Sequence, residues 1–529
     1  MSSPALIRHS LAAALLGCAS LLTSAASHAG PLVQVSGNSP FAACTADNVA
    51  GQPGTNYPGA EVEPWIDANP ANPNNLIAGW QQDRWSNGGS RGLMSAYSND
   101  GGASWTPILV PGISKCADGI YDRATDPWIA FSPNGTAYYF SLGFMNDEPS
   151  GAGGDNAMMV SKSTDGGASW SAPVDLINDT NGQVFNDKNA ITADPTDSRY
   201  VYAVWDRLVD NTLPADGAGA NGHKANGGDG ASNARARHKE AVNRGGTSEN
   251  FRSYIGPAWF ARTIDGGETW EAAKELYNPG TNAQTISSQV AVLNNGDVLD
   301  FFTVILHNGQ TSISYVKSSD HGATFGPVQL AVKTSVTTNG TVTPNAKESV
   351  RDGNILFDLA IDRNNGPGMG NLYLVWQDGK SQNIDRVAFS MSTNNGVSWS
   401  APVIINKTPN SNNKLRNQAF IPSVEVGADH KVYVTYYDFR NDGDFNGELT
   451  DMWAVSCNFS ALANCRTAGG WGNEVRLTDT SFNILDAPVA RGHFLGDYQG
   501  LVNAGGTVNA LFGKAVGPNL NDMFMANIP

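Results

Sequence analysis

SNDGGASW at residues 98–105 returns four more times along the chain, as STDGGASW (163–170), TIDGGETW (263–270), SSDHGATF (318–325) and STNNGVSW (392–399). Such self-similarity marks a repeat architecture. The common pattern, Ser/Thr-x-Asp-x-Gly-x-x-Trp, describes a tight turn between two strands. Asp100, Asp165, Asp265 and Asp320 can accept backbone N–H bonds inside the turn, and Asn394 keeps that chemistry in the fifth copy without the charge. Gly102, Gly167, Gly267, Gly322 and Gly396 suit a backbone conformation that costs other residues. Trp105, Trp170, Trp270, Phe325 and Trp399 would turn an aromatic ring into the apolar layer beside the turn.

Between these turns a second unit recurs: an apolar strand, a Pro/Asn/Gly turn, then another apolar strand that often ends in an aromatic and an acid. It starts at Glu63 (EPWIDANP), Asp126 (DPWIAFSP), Asn189, Ser288, Phe357, Ile421 and Gly496, which makes seven units. Short strands at regular spacing, with no long segment of helical period, predict an all-β chain. Each unit supplies two strands, the segment before each turn a third, and the segment after it a fourth. The sixth unit has no such turn. For the seventh, residues 522–528 read as the third strand, with residues 31–36 from the other end of the chain as the fourth.

The repeated turn resembles the Asp-box, or bacterial neuraminidase repeat, of the sialidase-like β-propellers. That resemblance implies an Asp-box β-propeller with these turns on the face opposite the active site, where they are structural. The unit count favours seven blades, with the six of true sialidases as the alternative.

Residues 1–29 read as a signal peptide, with Arg8, an apolar stretch over 11–22 and a small-residue cleavage site at Ser27-His28-Ala29. Residues 30–529 would form a single propeller domain. The protein is expected to be secreted or periplasmic; lipid anchoring at Cys18, after Leu15-Leu16-Gly17, is the less favoured alternative. No other stretch has the roughly 18 apolar residues of a membrane span. Export leaves Cys44, Cys116, Cys457 and Cys465 in an oxidising compartment. Of the three pairings that four cysteines allow, the local ones are favoured, Cys44 with Cys116 and Cys457 with Cys465. No Cys/His cluster has zinc spacing, no cofactor is required, and a structural calcium is left open. The net charge is -16, and -17 once Arg8 leaves with the signal. That field disfavours nucleic acid and anionic membrane as partners. A monomer is expected.

Residues 209–255 break the rhythm: a Gly/Asn-rich insertion with Arg235, Arg237, His238, Lys239 and Arg244 in its second half. It reads either as a surface insertion or as a basic lid over an acidic ligand.

On the face opposite the turns, Arg84, Arg207 and Arg440 follow second strands, while Arg123, Arg351, Arg416 and Arg491 precede first strands. Converging guanidinium groups can hold a carboxylate through paired hydrogen bonds, so the expected partner is an acidic glycan or polysaccharide. Asp83-Arg84, Asp206-Arg207 and Asp438-Arg440 can equally be read as local pairs. Arg123, Arg351 and Arg491 are expected to meet near the axis with Tyr498. Sialidases use an arginine triad, an aspartate acid/base and a tyrosine nucleophile activated by a glutamate. Their Arg-Ile-Pro motif is absent here, so the stand-ins rest on chemistry: Tyr498 in HFLGDYQG, Glu348 in KESVRDG, and Asp122 or Asp126 in YDRATDPW. His493, with His307 on the same face, would suit β-elimination beside an arginine-held uronate. The leading functional reading is a secreted sialidase-like glycoside hydrolase of acidic sugars. The alternatives are a polysaccharide lyase and a non-catalytic propeller that binds glycan or protein.

Overall fold

In this computed structural model, residues 27–146, 155–180, 182–210, 254–443, 448–458 and 462–529 are described. The basic cluster of the 209–255 insertion and most of the expected signal segment lie outside the described residues.

The strands group into seven successive four-stranded antiparallel units of an all-β propeller. Their innermost strands are Glu61–Ala68, Arg123–Phe131, Val184–Ala193, Ala283–Val292, Phe357–Ile361, Ala419–Val426 and Gly500–Ala504. Each lies beside the next, and the seventh lies beside the first. Helix is confined, among the described residues, to short turns such as Leu462–Cys465. Among the described residues no helix is long and apolar enough to cross a membrane.

Packing follows the same circle. Ile77 and Leu93 of the first unit share a core with Ile129, Tyr139 and Met159 of the second, and Leu299 and Phe301 of the fourth share one with Phe357, Leu374 and Trp376 of the fifth. The last such layer joins the ends: Leu511, Met523 and Met525 of the seventh unit pack on Leu76, Ala78 and Trp80 of the first. Closure is completed in the backbone, where Val33–Gln34 pairs antiparallel with Leu520–Ile528, Val33 opposite Met525 and Gln34 opposite Phe524. The N-terminal strand thus supplies the fourth strand of the seventh unit and covers an edge that would otherwise be open.

The five repeated turns share one hydrogen-bond pattern. In the second, Ser163 Oγ donates to Asp165 (2.8 Å) and accepts from Gly167 N (2.9 Å), while Asp165 takes Ser169 N (2.9 Å). The glycine is what locks one unit to the one before it. At Gly167, with φ +91°, a Cβ would stand 2.7 Å from Ile77 Cδ1, and at Gly322 2.7 Å from Phe260 Cζ. The preceding unit also donates to the turn, through Asn75 to Gly166 O (3.0 Å), Tyr138 to Gly266 O (2.9 Å) and Tyr315 to Gly396 O (2.9 Å). The turns are therefore clasps between units.

Both expected disulfides are present. Cys44–Cys116 ties the N-terminal segment to the loop before the second unit, and Cys457–Cys465 closes a short loop in the sixth unit, where the repeated turn is missing.

Candidate functional site

Five of the innermost strands carry a β-bulge near their start, at Val62/Trp65, Thr125/Trp128, Asp187/Ala190, Ile286/Gln289 and Phe420/Ser423. At each bulge one non-glycine residue is left-handed: Glu63 (φ 56°), Asp126 (φ 56°), Lys188 (φ 49°), Ser287 (φ 66°) and Ile421 (φ 49°). Proline follows Glu63, Asp126 and Ile421, as suits a position that donates nothing to the ladder. A bulge re-aims a side chain, and backbone strain of this kind costs about 1–3 kcal/mol per residue and gathers at functional sites.

Three of these re-aimed residues are charged, and they meet. Lys188 Nζ lies 2.7 Å from Asp497, 3.4 Å from Glu63 and 3.4 Å from Asp126, all of them buried. Lys188 also donates its backbone N–H to Asp126 (3.3 Å). Arg351 reaches the same point, with Nε 2.9 Å from Asp497 Oδ1 and Nη2 bonded to Oδ2. Gln81 donates to Glu63 and accepts from Arg84 Nη1 at 2.5 Å. Arg84 and Arg351 face the same Phe494 ring, 5.0 and 4.1 Å from its centroid.

Burial is the largest influence on the Glu63 carboxyl and, with Asp126 and Asp497 alongside, lifts it to about 8 against the pull of Lys188 and Arg351. Burial, followed by Arg351, lowers Arg84 to about 10. Burial raises Tyr498 well above its usual value, and Glu63 and Asp126 add to that. Its hydroxyl donates to Pro127 O (3.2 Å), and its ring lies against the stacked pair Trp65 and Trp128. A cavity of about 20 Å3 borders Asp497, Tyr498, Asp352 and Trp65, enough for about one water.

Of the residues expected from sequence, the structure brings Asp126, Arg351, Arg84 and Tyr498 together. The expected meeting of Arg123, Arg351 and Arg491 is not found. Arg123 is buried elsewhere, on Asn87 Oδ1 (2.7 Å), Gly88 O (2.8 Å) and the Trp85 ring. Arg351 is held by Asp497, and Arg491 is exposed on a left-handed residue. Arg207 pairs with Asp179 rather than its sequence neighbour Asp206, and lies over Trp259. Arg416 pairs with Asp442 (3.3 Å). Arg440 pairs with Asp438 and Glu474 (both 2.7 Å), so of the three Asp/Arg pairs read from sequence, this is the one whose partners bond.

The other stand-ins also lie apart from the cluster. Asp122 is buried under Lys115 (2.5 Å) and Asn146 N (2.7 Å). Glu348 is exposed, so it does not stand behind Tyr498 as an activating base. His493 faces Ala487 O through Nδ1 (3.3 Å). Among the described residues the one group of side chains spaced for a metal is Cys44, Asp47 and Cys116; its sulfurs are joined, and Asp47 binds Trp85 and Arg91.

Sequence reading missed Glu63, Lys188 and Asp497 as site residues. A signal for the first was present: Glu63 and Asp126 precede the same Pro-Trp-Ile.

No family model matches the chain, and no curated protein matches it. Among solved structures it is similar to the Hadza microbial sialidase Hz136 at 14% identity and TM-score 0.42, over 72% of this chain and 64% of that one. It is also similar to an α-L-arabinofuranosidase from Fusarium graminearum, at 11% identity and TM-score 0.43 over 83% of this chain and 100% of that one. The Trypanosoma rangeli sialidase is 13% identical with TM-score 0.40, over 75% and 55% of the two chains.

Proposed function

We propose that the protein is a glycoside hydrolase that works at the centre of the ring. Hydrolysis of a glycosidic bond needs one carboxyl that is protonated and a second that is ionised at the same pH. The observation that carries this reading is the meeting of Glu63, lifted to about 8, and the arginine-held Asp497 at a single ammonium, Lys188. Glu63 would protonate the leaving oxygen. Asp497, beside the one-water cavity, would take the proton of the attacking water, and Asp126 would offset positive charge on the sugar ring.

The cavity holds a water and not a sugar ring, so turnover requires the segments over Glu63 and Asp497 to move apart. The geometry does not favour an acidic sugar, because Arg351 is already held by a carboxylate and Arg123 by Asn87 and Gly88. Nor does it favour elimination, because His493 is turned to a backbone carbonyl.

The test is a panel of aryl glycosides and polysaccharides that includes sialosides and arabinan, assayed with the parent protein and with Glu63→Gln. The expected result is hydrolysis of a neutral glycan that falls about 10²–10⁴-fold in the variant, with the fold retained. Full activity in Glu63→Gln would overturn the assignment.

The complete mutual pairing of these charges favours one other reading, a non-catalytic propeller in which the cluster pins the innermost strands. That reading predicts no hydrolysis on any member of the panel, with glycan binding unchanged in Glu63→Gln.

A further inference from the structure

The ring has an opening at the far ends of its innermost strands. Where the innermost strands end, on the face that carries the repeated turns, a cavity of about 350 Å3 lies among the first, fourth, fifth, sixth and seventh units. Aliphatic Val290, Leu359 and Val502 share its lining with charged and amide side chains, and no aromatic ring lines it. This is within the size range of small-molecule sites.

The polar groups in this cavity are unevenly satisfied. Arg363 donates from Nη1 to Val292 O (3.1 Å), and its Nε and Nη2 bond to no described residue. Glu425 takes Val426 N on one oxygen (2.6 Å), leaving the other. Asn503 gives its amide N–H to Val426 O (3.1 Å), while its Oδ1 is shut from solvent with no donor. Asn364 uses its amide nitrogen on Asp362 and Gly427 O, again leaving Oδ1. Asp67 also lines the cavity; each of its oxygens accepts one backbone N–H, from Ala68 and Phe131 (both 2.8 Å).

The groups open to the cavity are therefore one guanidinium edge and the free oxygens of Glu425 and Asn364, beside the aliphatic side chains of Val290, Leu359 and Val502. A ligand that matches them brings an anionic oxygen pair, several N–H hydrogens and a hydrocarbon surface. Burial also lifts Glu425 to about 8, with Asp358 and Asp67 adding to it, and lifts Asp67 to about 6. A cation held near them would relieve that cost.

We propose that this opening binds a small α-amino acid zwitterion with an aliphatic side chain. Its carboxylate would lie on Arg363, its ammonium between Glu425 and Asn364, and its side chain against Val290, Leu359 and Val502. This site stands apart from the Glu63 cluster and does not depend on the activity proposed there.

L-Leucine is the probe, in calorimetric titration and thermal-shift measurements on the whole protein. Saturable binding is expected, with a rise in Tm. N-acetyl-L-leucine, which lacks the ammonium, and L-leucinamide, which lacks the carboxylate, should bind at least about tenfold more weakly. Arg363→Met and Glu425→Gln should each weaken L-leucine by about tenfold or more, whereas Glu63→Gln should leave it unchanged. Arg363 is exposed, so its variant should keep the parent Tm in the absence of ligand. The proposal is overturned if L-leucine shows no saturable binding up to about 20 mM, corresponding to less than about 2.3 kcal/mol of affinity. It is equally overturned if the two blocked analogues bind as well as L-leucine, if D-glucose displaces it, or if both variants bind it normally.

Discussion

Arg351 and Asp497, 146 residues apart in sequence, meet through two parallel hydrogen bonds, while the guanidinium face rests 4.1 Å from the Phe494 ring centroid. The pair is buried, and Asp497 also holds Lys188. It makes Arg351 a structural partner of the central carboxylates. Arg351→Ala should destabilise the protein by about 3–5 kcal/mol, the cost of leaving a buried charge without its partner. Denaturant unfolding measures this. A variant as stable as the parent would show that Asp497 does not depend on Arg351.

Stability should fall as pH rises from about 5 to 8. Burial holds the Glu63 and Glu425 protons up to about pH 8, and those of Asp67 and Asp358 up to about 6, whereas the unfolded chain releases all four near the ordinary 3.8 to 4.5. Across that window the folded state binds more protons, so their contribution is complete at the acid end and is lost as pH climbs through the folded values. Asp100 and Asp265 act in the opposite sense. Bonds from Ser104 and Thr269 lower them to about 2, so their contribution is lost only below about pH 4. Tm measured from pH 3 to 9 should peak near pH 4 to 5, and Glu63→Gln should flatten the alkaline slope. A Tm that rises from pH 5 to 8 would contradict the assignment.

The clasp turns should be more sensitive at glycine than at aspartate. Asp165 is exposed, so Asp165→Ala should cost about 1 kcal/mol in lost turn bonds. Gly167→Ala forces a left-handed alanine against Ile77, at 2.7 Å, and should cost more, about 2–4 kcal/mol. Neither should lower turnover by the folded fraction. Chemical denaturation of the two variants side by side is the check, and the reverse order of cost would refute the clasp.

Removing residues 30–36 should destabilise the whole ring, because it strips Val33–Gln34 from Leu520–Ile528 and leaves that strand as an unpaired edge. The expected signs are a lower Tm and faster amide exchange across residues 520–528. Unchanged exchange there would mean that the edge does not need its cover.

The sequence by itself determined the parts of this protein that are local or periodic. A turn formed by eight consecutive residues carries its own hydrogen-bond partners and its glycine, so SNDGGASW and its copies announce the strands on either side. The Cys457–Cys465 loop is closed over eight residues, and the closing strand at 31–36 was legible because the seventh unit lacked a fourth. The central site was only half legible. Asp126, Arg84, Arg351 and Tyr498 could be named, but their partners could not. Lys188 and Asp497 are 309 residues apart, and what brings them together is the ring, which sets the starts of all innermost strands around one axis. The bulges then decide which side chains turn inward, a property of strand register that a list of residues does not contain. The same physics undid the expected arginine triad. An arginine taken out of water is held by the nearest carboxylate or carbonyl, and tertiary packing alone decided that this was Asp497 for Arg351 and Asn87 with Gly88 for Arg123.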